Sequence, residues 1–552
     1  MRALKTIEKT PMRKSVLCLT LACALVARAE QLPGDEEFAT MRDGVRLAAN
    51  VYRPQGAGPW PVILTRTPYL KDGEEYGRGD WARYTDAGYV FVVQDVRGRG
   101  HSEGVYRAFQ DDLLDGYDSV EWAAHRPWSI GAIGVTGGSA MGIAANMAAA
   151  ANPPSLKAAY VEVAPHSRFD EATFQGGVFK EADVGGWMTE QGQGDRVDGV
   201  KARVVWDEGW AQADFLPHIA GVRVPIYNVG GWYDIFSIGN VRNYIDLQHD
   251  GSVGARGNQK LRMGPFGHGD LAGDLVYPEG SGVGGDTFPA DEIRWFDYWL
   301  KGAKNGVMDE PRVRYYMMAA ARKGRASPVN GWRESADWPP PNTPTPLYLT
   351  QTKALSRDVP GRTAKPLSYR FDPAQPVPTV GGANLMLPLG PMDQRAIPAR
   401  EDYLRFETER LERALAIAGP VTLTLWAATD GPDTDFMAKL VDVYPDGYEA
   451  VVLDAPLRAR YRFGRRPEDV RMMTPGRAEK LTIDLWQTAI TFEAGHKIAL
   501  HVTSSNSPRF EVNPNNGSAP GGDPGVARVA TNSIYVDREH ASALLLPVLT
   551  GE

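Results

Sequence analysis

Residues 131–150 read GAIGVTGGSAMGIAANMAAA, and no other segment constrains the fold more strongly. An apolar run ends in a glycine-packed turn with Ser139 at its apex, and a helix rich in small residues follows. A strand-to-helix turn of this kind is strained and brings the helix close to the sheet, so the positions of Gly137 and Gly142 must stay small. The serine hydroxyl would then lie beside a helix N-terminus, which favours negative charge. Glycine-rich turns also bind phosphate or only allow tight packing, so the residues downstream have to decide between these interpretations.

Two further polar residues follow strand-like runs downstream of Ser139, first an aspartate and then a histidine. Asp234 ends the segment VPIYNVGGWYD, and His268 lies in the later segment GPFGHGD. Side chains at the carboxyl ends of parallel strands meet at one edge of the sheet. We therefore predict a catalytic set in which Ser139 is the nucleophile, His268 the general base and Asp234 the acid that orients the base. His101 and His166 also follow strand-like segments and compete with His268 for the role of base.

Seven blocks of sequence resemble those of the X-Pro dipeptidyl-peptidase and cocaine esterase family of α/β-hydrolases, which includes α-amino acid ester hydrolases and glutaryl-cephalosporin acylases. The blocks run in matching order and are RTPY (66–69), DVRGRGHSEG (95–104), GGSAMG (137–142), GGWYDIF (230–236), GPFGHGD (264–270), WFDYWLKG (295–302) and DTDFMAKL (433–440). The resemblance implies an oxyanion hole in which the Tyr69 hydroxyl joins the backbone N–H of Ala140, the residue after the nucleophile.

Strand-like and helical runs alternate on both sides of an aromatic-rich insert. This alternation predicts a mostly parallel sheet with helices on both faces. We predict an α/β-hydrolase catalytic domain formed by residues 30–165 and 220–335, with a helical cap at residues 166–219 that covers the pocket.

The aromatic residues of the insert are expected to form the cap's own small core for the most part, with one or two of them facing substrate. We take four side chains as candidate substrate contacts. They are Phe174 and Trp187 in the cap and Trp232 and Phe236 beside Asp234.

The segment WPPPNTPTP at residues 338–346 is too rich in proline to continue a helix or a central strand, and it predicts a stiff boundary. Short, turn-bounded apolar runs follow it, with little helical pattern between them. They predict an all-β sandwich over residues 347–552, for which the family resemblance implies a jelly roll.

Both cysteines, Cys18 and Cys23, lie near the N-terminus. A basic pair, the apolar run SVLCLTLACALV and the small-residue site ARA predict a secretory signal peptide over residues 1–29, cleaved after Ala29. The apolar run is well short of the ~20 residues that span a bilayer, which disfavours a membrane anchor. We expect a secreted or periplasmic protein whose mature chain has no cysteine, whether translation starts at Met1 or at Met12.

The net charge of −8 gives no basis for binding nucleic acid, whose partners usually present a basic face. The acidic pairs Asp111-Asp112 and Asp433/Asp435 lack the spaced oxygen ligands of a calcium loop, so we predict no metal site and no cofactor. The predicted partner is a small-molecule ester or amide, with no membrane contact after signal cleavage. Homo-oligomer formation is left open.

These features predict a secreted serine hydrolase that cleaves carboxylic ester or acyl-amide bonds through an acyl-enzyme. In α-amino acid ester hydrolases, acidic residues that hold the substrate ammonium closely follow the triad aspartate, whereas Ile235, Phe236 and Ser237 follow it here. X-Pro peptidases carry larger amine-binding elements than this insert provides. Both activities remain alternatives, and a non-catalytic protein that binds a carbohydrate or another partner is a more remote one.

Overall fold

The computed structural model describes residues 34–73, 80–278 and 288–550. The predicted signal peptide, residues 1–29, lies outside these residues. Within these residues, no helix is long and apolar enough to cross a bilayer.

The first 335 residues contain a large mixed sheet and two short hairpins. The strands are β1 (Asp35–Thr40), β2 (Arg46–Tyr52), β3 (Trp60–Thr67), β4 (Val90–Asp95), β5 (Ser129–Gly138), β6 (Leu156–Glu162), β7 (Phe174–Gln175), β8 (Val178–Phe179), β9 (Ile226–Tyr233), β10 (Lys260–Gly267), β11 (Val313–Met317), β12 (Ala321–Arg322), β13 (Arg325–Ala326) and β14 (Gly331–Ser335). In the described part of the chain, the large sheet has the order β1-β2-β4-β3-β5-β6-β9-β10-β11-β14. Neighbours from β4 to β11 are parallel, and the outer pairs are antiparallel.

Helices cover both faces of this sheet. They and the cap helices are α1 (Asp80–Asp86), α2 (Asp112–Ala124), α3 (Ala140–Ala150), α4 (Gly186–Glu190), α5 (Val197–Lys201), α6 (Glu208–Ala211), α7 (Ser237–Asp250) and α8 (Phe288–Lys301). Successive residues of β3 face opposite sides, as the pleat requires. Val62 and Leu64 pack in one core with residues of α2 and α3, whereas Ile63 packs in another with residues of α8. The predicted mostly parallel sheet with helices on both faces is confirmed.

The segment between β6 and β9 forms the cap. It contains π-helical turns at Arg168–Thr173 and Glu181–Gly185, the β7–β8 hairpin and the short helices α4, α5 and α6. Its aromatic side chains build a core of their own, as predicted for most of them. Phe174 was expected to contact substrate, and this is wrong: its side chain is fully buried in that core, against the rings of Phe169, Phe179 and Trp210.

The C-terminal region consists of two facing sheets. The strands are β15 (Asn342–Leu349), β16 (Leu355–Ser356), β17 (Leu367–Phe371), β18 (Leu404–Glu407), β19 (Leu415–Thr429), β20 (Asp435–Val443), β21 (Glu449–Arg458), β22 (Glu479–Phe492), β23 (Lys497–Thr503), β24 (Ala530–Ile534) and β25 (Ala543–Leu549). One sheet runs β16-β15-β25-β19-β24-β17 with β22 beside β19, and the other runs β18-β23-β20-β21. Buried side chains of both, such as Leu425 and Leu500, share one core. The predicted all-β architecture is confirmed, and its jelly-roll connectivity stays a prediction.

The proline-rich segment lies where the large sheet gives way to the sandwich, at the predicted boundary, but its later half is part of a strand, which its proline content does not predict. β15 begins inside it at Asn342, and Pro344 and Pro346 lie opposite residues of β25. β16 pairs only with Tyr348 and Leu349, so in the described structure the prolines sit where β15 has a strand on one side only. A residue without an N–H is tolerated there.

Trp232 was also predicted as a substrate contact, and this is wrong as well. Its ring is 2% exposed, its Nε1–H donates to the Tyr316 carbonyl oxygen at 2.9 Å, and it packs 5.5 Å from the Trp338 ring. The large sheet and the sandwich therefore share an apolar core at this point, and residues of both belong to the same cluster.

Replacing Phe174 with alanine should lower the free energy of unfolding by ~3–5 kcal/mol, because it leaves a cavity in the small cap core. Denaturant unfolding measures the loss. Phe463→Ala is the matched control, since that ring is 60% exposed and its removal should cost little. A Phe174→Ala protein with the wild-type unfolding midpoint would contradict the placement of this ring in the cap core.

Candidate active site

Ser139 occupies a strained turn between β5 and α3. Its φ of 56° lies in the left-handed region, which a non-glycine residue seldom adopts. The turn leaves no space for larger neighbours: a Cβ on Gly137 would lie 2.5 Å from the backbone carbon of Met141, and one on Gly142 would lie 2.9 Å from the Glu162 carbonyl oxygen. The Ser139 N–H donates to that carbonyl oxygen at 3.1 Å. The glycines of the sequence pattern are thus required by close approach of the backbone.

The structure brings Ser139, His268 and Asp234 together. His268 Nε2 lies 2.7 Å from Ser139 Oγ, and His268 Nδ1 lies 2.7 Å from Asp234 Oδ2. Asp234 is fully buried, and its other carboxylate oxygen accepts the backbone N–H of Phe236 at 2.7 Å. Asp234 and His268 follow the neighbouring parallel strands β9 and β10, which explains why residues far apart in sequence meet.

Two opposing effects act on the His268 imidazole. Burial alone would lower the pKa of this side chain. The negative charge of Asp234 and its hydrogen bond raise the pKa by more than burial lowers it, so the pKa lies above the ordinary value for histidine. The carboxylate of Asp234, held by burial and by the Phe236 N–H, therefore stabilises the protonated ring. This is the electrostatic arrangement that a base needs when it takes a proton from a serine hydroxyl.

Tyr69 and Ala140 lie beside the serine. Ala140 is the first residue of α3, and Tyr69 follows β3, with its backbone N–H donating to Thr67 Oγ1 at 3.0 Å. The Tyr69 hydroxyl oxygen accepts the Trp187 Nε1–H at 3.0 Å. Because an indole nitrogen only donates, the phenol oxygen is the acceptor in this contact.

Two cavities meet at Ser139. One has a volume of about 270 Å³ and an apolar wall that includes Ile143, Trp187, Phe236 and Leu385. We call it the apolar cavity. Of the four predicted substrate contacts, Trp187 and Phe236 line it, and Phe236 also packs edge-on against the His268 ring at 5.6 Å.

The second cavity, of about 600 Å³, has a more polar wall, and we call it the polar cavity. The His268 side chain lines this cavity. Glu292 lies in its wall and accepts hydrogen bonds from Thr136 Oγ1 at 2.6 Å, from the Tyr84 hydroxyl at 2.9 Å and from Arg83 at 2.9 Å. Burial, and then the nearby charge of Glu292, raise the pKa of Glu162 to about 7.

The competing histidines have other partners. His101 is exposed and its ring contacts Glu36 at 2.6 Å, while buried His166 contacts Asp246 at 2.9 Å. Sequence reasoning missed Glu162, although it ends β6 at the same sheet edge as the serine, and that position was a usable signal. It also missed Leu385, which reaches the apolar cavity from the C-terminal region and carries no local sequence signal.

Known proteins are similar to this chain over most of its length. Residues 43–202 match the family model for X-Pro dipeptidyl-peptidase (S15 family), and residues 305–545 match the model for the X-Pro dipeptidyl-peptidase C-terminal non-catalytic domain. The chain is 30% identical to the cocaine esterase of Rhodococcus sp. (strain MB1 Bresler), in an alignment that covers 92% of this chain and 97% of the relative. The chain belongs to the X-Pro dipeptidyl-peptidase and cocaine esterase family. It is a hydrolase of the serine esterase and X-Pro peptidase type.

Solved structures of similar proteins extend over both regions. An aminopeptidase from a marine sediment archaeon (Thaumarchaeota archaeon) matches with a TM-score of 0.80 and 25% identity, over 94% of this chain and 96% of the other. An α-amino acid ester hydrolase matches with a TM-score of 0.78 and 26% identity, over 93% and 96%. The α/β-hydrolase fold with a C-terminal β-rich domain is thus common to this chain and these enzymes.

The raised pKa of His268 predicts the pH dependence of the reaction. A base must be neutral, so the acid limb of kcat/KM should have its midpoint above the ordinary histidine value of 6.5. Asp234→Asn removes the charge that raises the pKa but leaves the burial that lowers it. The midpoint should therefore move to lower pH, while kcat falls on the order of 10⁴-fold. Hydrolysis of 4-nitrophenyl acetate across the pH range measures both, and an unmoved midpoint would contradict the electrostatic role of Asp234.

Proposed function

We propose that the protein is an exported carboxylic ester hydrolase that forms an acyl-enzyme on Ser139. The observation that carries the proposal is the continuous hydrogen-bonded relay from Ser139 through His268 to Asp234 at the junction of the two cavities. Nucleophile and base lie within hydrogen-bonding reach, and a third group orients the base, which is the arrangement that activates a serine.

The reaction follows from the positions of these groups. As Ser139 Oγ attacks the ester carbonyl carbon, His268 Nε2 takes its proton, and Asp234 stabilises the imidazolium. The Ala140 N–H and the Tyr69 hydroxyl donate to the oxyanion. His268 then gives the proton to the leaving alkoxide. Water repeats the sequence on the acyl-enzyme, which releases the carboxylic acid and restores Ser139.

The two cavities would hold the two halves of an ester substrate, the acyl group and the leaving alcohol. The residue that protonates the leaving group is His268, and it lines the polar cavity. The oxyanion donor Ala140 and the side chain of Phe236 line the apolar cavity and not the polar one, whereas Trp187 lines both. We therefore assign the acyl group to the apolar cavity and the leaving alcohol to the polar cavity.

An ester without a free α-amino group fits the acyl side best. Ile235 and Phe236, which follow Asp234, give that cavity apolar walls. Among the described lining residues its carboxylate is Asp183, whose Oδ1 already accepts the backbone N–H groups of Leu385 and Met386 at 2.8 and 3.2 Å. The guanidinium of Arg509 lies 3.9 Å from Asp183 Oδ2. A substrate ammonium would compete with these cationic and N–H partners, which disfavours the X-Pro dipeptidyl-peptidase and α-amino acid ester hydrolase alternatives.

Export is the part of the proposal that rests on the N-terminal pattern alone. The basic pair, apolar run and ARA site support cleavage after Ala29. Expression of the full chain in a bacterial host, followed by mass measurement of the protein outside the cytoplasm, tests it. Retention of an uncleaved chain in the cytoplasm would contradict it.

Removing single groups from the site tests the mechanism. Ser139→Ala should reduce ester hydrolysis to a trace, because only the hydroxyl is lost. Tyr69→Phe removes one oxyanion donor and should lower kcat on the order of 10²–10³-fold, equivalent to about 2.7–4 kcal/mol, with little change in KM. Steady-state kinetics on 4-nitrophenyl esters measures both effects. An unchanged kcat in Tyr69→Phe would assign this phenol to packing against Trp187.

Substrate charge tests the acyl-side assignment. Phenylacetic acid methyl ester should be hydrolysed at least as well as phenylglycine methyl ester, because the one carboxylate among the described residues of the apolar cavity, Asp183, already faces the Arg509 guanidinium and two backbone N–H groups. The comparison is the ratio of their kcat/KM values. A tenfold preference for the amino ester, about 1.4 kcal/mol, would contradict the assignment and favour an α-amino acid ester hydrolase.

A further inference from the structure

Polar side chains converge on one face of the large sheet, at the end where Ser139 stands. In the parallel pair of β5 and β6, Gly138 lies opposite Glu162, so Glu162 and Thr136 point to the same face of the sheet. Helix α8 packs on β5 and β6, and its Glu292 accepts a hydrogen bond from the Thr136 hydroxyl at 2.6 Å. The side chains of Thr136, Glu162 and Glu292 all line the polar cavity.

Glu162 is the member of this group whose carboxyl has no partner. Within the described part of the chain its side chain forms no hydrogen bond and no ion pair. A Cβ built on Gly138 would lie 3.7 Å from Glu162 Oε2, so this carboxyl reaches the residue before the nucleophile. With its pKa raised to about 7, the carboxyl is present in both its charged and its neutral form near neutral pH. The neutral form donates a hydrogen bond as well as accepting one.

The charges in the polar cavity oppose ionic ligands of either sign. The Arg83 guanidinium donates to Glu292 at 2.9 Å and to the Tyr84 hydroxyl at 2.6 Å, and 37% of this arginine side chain stays exposed. A cationic alcohol would meet the guanidinium, and an anionic alcohol would meet the two glutamates. A hydroxyl group both donates and accepts, so it can pair with Glu162 in either form and also with Arg83.

Apolar side chains complete the wall of this cavity. Phe91, Val163, Val229 and Phe266 line it together with the polar groups. An aromatic or aliphatic wall packs against the C–H face of a ring, while hydroxyl groups on the ring edge turn to hydrogen-bonding partners. The volume of about 600 Å³ is sufficient for a substituted six-membered ring.

We propose that the leaving alcohol is a neutral, polyhydroxylated ring of the size of a monosaccharide, and that its hydroxyl groups bind Glu162, Thr136 and Arg83. The inference rests on the proposed function, which assigns ester hydrolysis to Ser139 and the leaving alcohol to the polar cavity. The substrates are then sugar esters. The acyl C–O bond to the sugar breaks, His268 returns its proton to the sugar oxygen, and water releases the carboxylic acid from the acyl-enzyme. An alcohol of the same shape without hydroxyl groups leaves the polar groups of the site unpaired, which costs free energy.

Two phenylacetyl esters with the same ring size test the proposal. One is methyl 6-O-phenylacetyl-α-D-glucopyranoside and the other is cyclohexylmethyl phenylacetate, so both join the ester oxygen to a ring through one CH₂ group. Each kcat/KM is divided by the rate constant for alkaline hydrolysis, which corrects for leaving-group reactivity. The corrected value should be at least tenfold higher for the sugar ester. An equal or lower value would overturn the proposal, and so would a higher corrected value for the cationic phenylacetyl ester of choline.

Substitution of Glu162 tests how the hydroxyl groups are bound. Glu162→Met removes the carboxyl at similar chain length and should lower the ratio of the sugar ester to the cyclohexylmethyl ester at least tenfold. Glu162→Gln is the matched variant, because its amide donates and accepts, and it should keep this ratio within about threefold. The proposal is overturned if Glu162→Met leaves the ratio unchanged, or if Glu162→Gln loses it as fully as Glu162→Met.

Binding of the alcohol alone needs neither turnover nor a Glu162 variant that folds. Saturation-transfer NMR should detect methyl α-D-glucopyranoside on the wild type and on Ser139→Ala, and a folded Glu162→Met should lose the signal. Absence of the signal from the wild type, or its persistence in a folded Glu162→Met, would overturn the proposal. A wild type that hydrolyses no ester contradicts the proposed ester hydrolysis, and the NMR result then decides the sugar site by itself. Equal corrected rates on the two esters overturn the sugar assignment and leave ester hydrolysis standing.

Discussion

The strained turn at Ser139 is the constraint on which the rest of the site depends. With φ at 56°, the serine stands above the end of β5, and α3 starts directly behind it. The close approach of Met141 to Gly137 and of Glu162 to Gly142 keeps this turn tight. The same geometry places the Ala140 N–H beside the hydroxyl, so nucleophile and oxyanion donor come from one local structure. The neighbouring parallel strands then supply Asp234 and His268.

All three regions of the chain hold the acid turn in place. Lys180, a fully buried residue of the cap, donates from Nζ to the Ile235 carbonyl oxygen at 3.1 Å, one residue after Asp234. The same ammonium lies 4.9 Å from the centre of the Trp486 ring in the sandwich. Burial lowers the pKa of Lys180 to about 7, so the contact holds a group that is close to losing its charge. The cap and the C-terminal region therefore support the site as well as enclosing it.

The sequence predicts the local features of this protein better than its long-range ones. The elbow glycines, the strand ends that place Asp234 and His268, and the alternation that builds the sheet are all local patterns, and the structure matches them. The burial of Phe174 and Trp232 was not predictable in this way, because the local sequence around an aromatic residue near a site is the same whether its ring faces a cavity or a core. The prolines of β15 were misleading for a related reason: only the register with β25 and the shortness of β16 show that one side of the strand is open. Leu385 reaches the apolar cavity through tertiary packing that no local pattern encodes.

The central claim is that Ser139 is the nucleophile, and covalent labelling tests it most directly. The folded protein should react with one equivalent of a fluorophosphonate probe, and peptide mass spectrometry should place the label on Ser139. The label should be absent from Ser139→Ala. Stoichiometric labelling of another residue, or a folded wild type that takes up no label, would contradict the account.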